Sequence, residues 1–198
     1  MKELGIFLAL VAIICCQGIV QAYAADTPIV TVDNTTIMSG DTIVISYSGI
    51  YNGDKAQLVL SPRVSGPNDW YFYLEDMYLP FALAPAYAVM KGSNLSIICA
   101  TMGTVNGDTT LCKAMHDEPF RYRIDHYIPM DMYSKAGMRG TYSGGIVNAT
   151  LNVVGTKSGF DTSSGSISCK INTNMKGKFR LLVKVNDVVA MKQWITVK

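Results

Sequence analysis

The chain has 198 residues and a formal net charge of +2, with 16% charged and 49% hydrophobic residues. The basic residues are scattered along the chain with acidic residues among them, which argues against nucleic acid or another electrostatic partner. Because so little charge opposes association, the composition favours a protein that packs against copies of itself.

Residues 1–24 have the pattern of a secretory signal peptide. A positive charge at Lys2 precedes an apolar run at residues 5–16, and small residues at Ala22 and Ala24 fit a cleavage site. A membrane-spanning helix needs ~20 apolar residues, so the sequence predicts no membrane span after signal removal. We expect a secreted protein of the cell surface whose mature part, residues 25–198, forms one domain, although two small sandwiches in tandem would also fit the length.

Short segments rich in β-branched residues and bounded by turn residues dominate the mature chain. The clearest is residues 42–47, TIVISY, between Gly40-Asp41 and Gly49. The other predicted strands cover residues 29–32, 56–61, 94–101, 146–154, 165–171, 179–185 and 188–197. The sequence therefore predicts an all-β fold, a mostly antiparallel β-sandwich. The only helix expected is a turn or two at residues 134–139.

Two sites carry the sequence signal of a tight hairpin turn. Asn186-Asp187 lies between two alternating apolar runs, and Asn106-Gly107 is a second pair that favours a primed turn. Both predict antiparallel pairing of the segments on either side.

The middle of the chain, residues 62–145, is predicted to be an elaborated insert because it holds both histidines and most aromatic residues. Within it, Trp70, Tyr71, Phe72 and Tyr73 form a run without a polar face. Such a run suits either a strand buried on both sides or one that a neighbouring subunit covers.

Three cysteines remain after signal removal, in a compartment where disulfides form. Cys99 and Cys112 flank the Asn106-Gly107 turn, so a hairpin would bring them together. Cys169 is then left over, and it forms either a bond between subunits or a buried thiol. Its alternation with Ile167 and Ile171 favours burial.

No motif for nucleophilic catalysis, phosphate binding or a known metal site occurs in the sequence. We therefore predict a protein that is not an enzyme and has no cofactor. His116 and His126, with the carboxylates near them, are weak candidates for a metal site, and polar loop residues are the preferred interpretation. Three sequons, at Asn34, Asn94 and Asn148, are available for glycosylation, with Asn34 the favoured one.

The segments TPIVTVDNTTIMSGDTIVISYSG and GKFRLLVKVNDVVAMKQWITV resemble the first and last strands of Ig-like modules in cell-envelope proteins of methanogenic archaea, including surface-layer and tubular-sheath proteins. The resemblance covers roughly a quarter of the chain. It implies an Ig-like sandwich that assembles edge to edge into hoops or lattices and is cross-linked.

The leading hypothesis is an exported structural protein that forms a homopolymer through strand edges and aromatic contacts, with disulfides as a further cross-link. The alternative is a surface binding module or adhesin for a carbohydrate or a protein. In that case Trp70, Tyr71 and Tyr73 would stack on sugar rings, which requires them to share one exposed face. A secreted hydrolase is the third hypothesis, and it would need the region of His116 and His126 to converge into a pocket.

Overall fold

The fold is described from a computed structural model. It covers residues 27–65, 68–93, 95–104, 106–114, 120–142, 146–159 and 162–198. For residues 64–65, 120–122, 124–126 and 147–148 only the backbone is described. The predicted signal peptide at residues 1–24, His116 and Asn94 lie outside the described residues.

The protein is a β-sandwich, as the sequence predicts, and the described residues contain no helix. The strands are β1 Ile29–Val32, β2 Thr36–Ile37, β3 Thr42–Ser48, β4 Lys55–Ser65, β5 Asp69–Leu79, β6 Ala82–Ser93, β7 Leu95–Thr104, β8 Gly107–Ala114, β9 Phe120–Ile128, β10 Asp131–Tyr142, β11 Val147–Ser158, β12 Gly165–Thr173, β13 Lys176–Val185 and β14 Val188–Val197.

Two seven-stranded sheets form the layers of the sandwich. Sheet A has the order β1-β3-β12-β5-β10-β7-β8, and sheet B has the order β2-β14-β13-β4-β11-β6-β9. The neighbouring strands are antiparallel except β2 and β14, which are parallel. Strand β6 contacts β7, and β1 contacts β14, so the strand orders of the two sheets run in the same direction across the sandwich. The edge strands β8 and β9 therefore lie along the same side of the sandwich.

The core lies between the sheets and follows from period-two alternation along each strand. In sheet A, Trp70 and Phe72 are 1% and 2% exposed, and in sheet B Phe179 and Leu181 are 0% and 4% exposed. Alternate residues on these strands point to the outer faces. The sandwich thus presents two outer faces and two open sides to its surroundings.

Both predicted hairpins form. Asn186 and Asp187 have φ values of 50° and 66° and join β13 to β14, with Val185 opposite Val188. Positive φ at both central residues is the geometry of a primed turn, which Asn and Asp tolerate. In the other hairpin Thr104 of β7 lies opposite Gly107 of β8. The turn between these strands is therefore one residue earlier in the chain than the Asn106-Gly107 pattern predicts.

The predicted helix at residues 134–139 is wrong, because this segment lies within β10 and pairs with β5 on one side and β7 on the other. Its Lys, Ala, Met and Arg residues favour a helix in isolation, but strand pairing overrides that preference. A side chain at Gly137 would collide with the carbonyl oxygen of Phe72, and one at Gly140 with that of Ile97. The glycines therefore permit the close strand approach here.

The predicted insert at residues 62–145 is not confirmed. The segment supplies β5, β7, β8 and β10 to sheet A and β6 and β9 to sheet B. It therefore builds a large part of both layers and does not project from them.

Candidate functional site

The aromatic run in β5 divides between the two sides of sheet A. Trp70 and Phe72 face the interior, where the Phe72 ring contacts Phe179 of the opposite sheet with centroids 4.4 Å apart. Tyr71 and Tyr73 face outward, and their rings stack with centroids 5.6 Å apart. Trp70 and Phe72 are therefore core residues, and only the two tyrosines can contribute to an external surface.

The stacked tyrosines lie among polar side chains on the outer face of sheet A. Lys135 Nζ is 5.1 Å from the centroid of the Tyr73 ring, a cation–π arrangement. Asn172, opposite Tyr73, donates a hydrogen bond to Glu75 at 2.9 Å. Tyr73 is only 9% exposed, so the surface available to a partner here comes mainly from Tyr71.

The predicted disulfide between Cys99 and Cys112 is confirmed, with an S–S distance of 2.04 Å. The two residues lie directly opposite each other on β7 and β8, and their Cα atoms are 4.0 Å apart. So short a separation identifies a non-hydrogen-bonded pair of an antiparallel ladder. The disulfide therefore ties the outermost strand of sheet A to its neighbour.

Cys169 is a free thiol in the core, 1% exposed and opposite Ile43. Burial, with a smaller contribution from the charge of Asp33, raises the pKa of this thiol from 9.0 to about 12. A buried, protonated thiol is neither accessible nor nucleophilic. Of the two alternatives that the sequence leaves open, the structure therefore shows the buried thiol.

Strand β8 forms one edge of sheet A, and all eight of its residues are exposed. Because Cys112 belongs to a non-hydrogen-bonded pair, its peptide N–H and C=O point away from β7. The same holds for Asp108, Thr110 and Ala114, which have the same parity in the register. Within the described ranges no strand pairs with this outer side of β8. The edge thus presents a row of main-chain donors and acceptors.

Lys157 is a buried residue to which no sequence motif points. It is 1% exposed, and its Nζ donates hydrogen bonds to the carbonyl oxygens of Ile50 at 2.8 Å and Thr162 at 2.6 Å. The ammonium group also lies 5.6 Å from the centroid of the Phe81 ring. These contacts compensate part of the desolvation of a buried cation. Lys157 therefore ties two loops together at one end of the sandwich.

The basic residues that are scattered in the sequence gather on the outer face of sheet B. Lys178 lies opposite Arg63, and Lys192 lies opposite Leu182. At the β9 edge of the same face, Arg123 covers the Tyr87 ring, with its guanidinium carbon 4.0 Å from the ring centroid. Strand register thus brings together basic residues that are far apart in the chain.

The remaining predicted site residues are only partly described. Asn34 is exposed, and its side-chain oxygen accepts a hydrogen bond from the Thr36 N–H at 3.0 Å. Asn148 and His126 lie on β11 and β9, of which the backbone alone is described at these positions. Among the described residues, no group of three or more His, Cys, Asp or Glu side chains could hold a metal ion. The same part of the chain has no helix long and apolar enough to span a membrane.

No family model matches the chain, and no curated protein matches it. A solved structure titled "Structure of infectious bursal disease virus Gx strain" aligns over 86% of this chain with 11% identity and a TM-score of 0.19. The alignment spans 40% of the length of that chain. At such a TM-score the likeness carries no argument about fold or function.

Proposed function

We propose that this chain is an exported structural protein that assembles with copies of itself into a cell-surface layer or sheath by pairing of exposed strand edges. The observation that carries the proposal is β8, an edge strand whose eight residues are all exposed. An unpaired edge is a template on which a strand from another chain can add main-chain hydrogen bonds.

The geometry of β8 suits such pairing. It runs in unbroken register with β7 from Gly107 to Ala114 and contains no proline or bulge. The Cys99–Cys112 disulfide holds it in place, which lowers the entropy that ordering the strand on association would otherwise cost. Of the devices by which proteins block edges, β8 has charged side chains, Asp108 and Lys113, and Lys113 shares its register position with the core residue Ile98.

Two features of the chain support export. The signal pattern at residues 1–24 is one, and the disulfide is the other, because disulfides persist in oxidising compartments. The resemblance of the terminal segments to archaeal envelope modules supports a location in the cell envelope. Since Cys169 is buried, the proposed polymer does not depend on a disulfide from this residue.

Electron microscopy of the purified protein tests the proposal, with long ordered polymers as the expected result. The informative variant is Thr110→Pro, because proline at this position removes an N–H that points away from β7 and leaves the β7–β8 ladder intact. We expect a folded protein that does not polymerise.

The matched control is Thr110→Val, which removes the same hydroxyl group, including its 3.0 Å contact with Thr101, but keeps the N–H. This variant should polymerise normally. A wild-type protein that remains monomeric at high concentration, or a Thr110→Pro protein that polymerises as well as Thr110→Val, would refute assembly through β8.

The alternative in which aromatic residues of β5 stack on sugar rings is weakened, because Trp70 lies in the core while Tyr71 and Tyr73 face outward.

A further inference from the structure

The outer face of sheet B brings residues from five strands into one row. Cross-strand register places Trp194 opposite Arg180 and Arg180 opposite Ser61. The Ser61 hydroxyl lies 3.3 Å from that of Thr150, which is opposite Lys91. With neighbouring strands about 4.8 Å apart, the row from Trp194 to Lys91 is roughly 19 Å long.

The rows on either side extend the positive charge. One row begins at Lys192 and ends at Arg123, and the other contains Lys178 and Arg63. These three rows contain no acidic residue, and Asp125, opposite Tyr87, belongs to the next row. Like charges gathered on one face raise its positive potential, which attracts anions.

The outer face of sheet A provides the contrast. There Lys170 lies opposite Glu75, Glu75 lies opposite Lys135, and Asp108 closes the same row. Charges of both signs alternate on that face. The excess of positive charge is therefore a property of sheet B and not of the chain as a whole.

No described carboxylate pairs with Arg180 or Lys91, the two cations of the central row. The ion pair between Lys55 and Asp187 lies at the end of the sandwich, away from this row. Arg180 donates a hydrogen bond from Nη2 to Ser61 at 3.4 Å, and its buried Nε has no hydrogen-bond partner. Its guanidinium group is therefore held in place without its charge being neutralised by a carboxylate.

Apolar side chains also lie on this side of sheet B. Val59, Val89 and Val154 are 8%, 3% and 3% exposed, although their register places them outside the core between the sheets. Trp194, at the end of the row, is 43% exposed. The exposed Trp194 ring thus lies at the end of a row that carries hydroxyl groups and cations.

We propose that the outer face of sheet B binds an acidic polysaccharide lying across the strands from Trp194 to Lys91. Carboxylate or sulfate groups of the polymer pair with Arg180 and Lys91, and sugar hydroxyls bond to Ser61 and Thr150. The apolar face of a sugar ring packs on Trp194. Only the preference for a polysaccharide over other polyanions rests on the proposed export.

Two other anionic partners fit the face less well. Proteins that bind single-stranded nucleic acid stack successive bases on closely spaced exposed aromatic rings. Here the exposed rings of Trp194 on β14 and Tyr127 on β9 are five strands apart, and Tyr87 lies under Arg123. A membrane surface requires a cluster of projecting apolar side chains, whereas Val59 and Val89 are buried and the exposed Val189 lies at the end of sheet B beside Lys184.

The test measures binding of polygalacturonate, with neutral dextran as the control polymer, to the Thr110→Pro protein. That variant separates binding from assembly, so failure of one proposal leaves the other intact. We expect polygalacturonate to bind and dextran not to bind. Binding should weaken between about 0.1 M and about 1 M NaCl, as the Debye length falls from ~10 Å to ~3 Å.

The chain has two tryptophans, and Trp70 is 1% exposed, so a fluorescence change on binding reports on Trp194. The pair Lys91→Gln with Arg180→Gln should raise Kd at least about tenfold. The matched pair on sheet A, Lys135→Gln with Lys170→Gln, should leave Kd within about twofold. Circular dichroism confirms that each variant is folded.

Several results would overturn the proposal. Equal binding of dextran would show that charge is not recognised, and an equal loss of affinity in both variant pairs would show that the site is not on sheet B. Tighter binding of a single-stranded oligothymidylate would assign the face to nucleic acid. Tighter binding of phosphatidylserine vesicles would assign it to a membrane.

Discussion

The rings of Phe72 and Phe179 meet across the interior of the sandwich, with centroids 4.4 Å apart and planes inclined by 41°. Phe72 belongs to sheet A and Phe179 to sheet B, so this contact joins the two layers near the middle of the core. Tyr71, the preceding residue in the chain, faces the opposite side of the sheet. Two adjacent residues thus offer a direct comparison of core and surface.

Changing each of these two residues to lysine should have opposite effects on folding. Phe72→Lys places a charge without a partner in the core and removes the Phe179 contact, so it should prevent folding, since loss of a core aromatic alone costs about 3–5 kcal/mol. Tyr71→Lys should lower the free energy of unfolding by less than about 1.5 kcal/mol. Urea unfolding followed by circular dichroism compares the two. Equal destabilisation would show that Tyr71 is also a core residue.

Tyr71→Lys also tests whether the tyrosine pair contributes to assembly. If Tyr71 contacts a neighbouring subunit, the variant should fold and remain monomeric in sedimentation experiments. A folded Tyr71→Lys protein that forms normal polymers would restrict the interface to the strand edges.

The Cys99–Cys112 bond should stabilise the native protein, because it closes a loop with a sequence separation of 13 in the unfolded chain. Replacing both cysteines by alanine should lower the free energy of unfolding by about 3 kcal/mol. Urea unfolding under non-reducing conditions measures the difference. Peptide mapping without reduction should recover the same pair, and a peptide joining Cys169 to either residue would contradict the register of β7 and β8.

Stability should fall at alkaline pH because the folded protein holds protons that the unfolded chain releases. Burial raises the pKa of Cys169 to about 12 from 9.0 and that of Tyr133 to about 12 from 10.0. The native state therefore binds more protons than the unfolded state above about pH 9, and the free energy of unfolding decreases with rising pH. Each group contributes a slope of at most about 1.4 kcal/mol per pH unit, fully present only between its two pKa values.

Urea unfolding from about pH 8 to about pH 11 measures this slope. The Cys169→Ala variant should show a shallower decrease than the wild type, because it lacks one of the groups whose pKa is raised in the folded protein. An unchanged slope would mean that the Cys169 thiol ionises normally in the native state. In agreement with burial, the thiol should react with iodoacetamide only after denaturation.

The turn between β13 and β14 should respond differently to changes at its two residues. Asn186 accepts a hydrogen bond from the Lys55 N–H at 2.9 Å and donates one to Asp54 at 2.7 Å. Asn186→Ala loses both and places alanine at positive φ, which should cost about 2 kcal/mol. Asp187→Gly relieves the backbone at φ 66° and loses only an exposed ion pair, so stability should change by less than about 1 kcal/mol. Equal losses in thermal unfolding would contradict the turn geometry.

The sequence predicted the fold class and the elements whose signals are local. Residues 29–32 form β1 as expected, and Asn186-Asp187 forms its turn, because alternation and turn chemistry are properties of a few adjacent residues. Strand β6 was largely missed because it contains Pro85 and several alanines, which disfavour strands. The segment at residues 134–139 was mistaken for a helix because pairing on both sides outweighs local preference.

The surfaces were harder to predict than the fold. The alternation of side chains along a strand places Tyr71 and Phe72 on opposite faces. It does not indicate which of the two faces lies in the core. The cationic face required the register that places Arg180 beside Ser61 and Thr150 beside Lys91, and these pairs are far apart in sequence. The burial of Lys157 likewise depends on two distant loops that provide its carbonyl acceptors.

The exposed edge of β8 has a consequence for the symmetry of any assembly. Two copies of β8 can pair about a two-fold axis, and such an isologous contact uses both edges and stops at a dimer. Growth beyond the dimer needs a second contact, and the opposite edge of sheet A, strand β1, has four residues against the eight of β8. The longer edge therefore favours a closed dimer as the first assembled species, with growth into a filament controlled by the weaker contact.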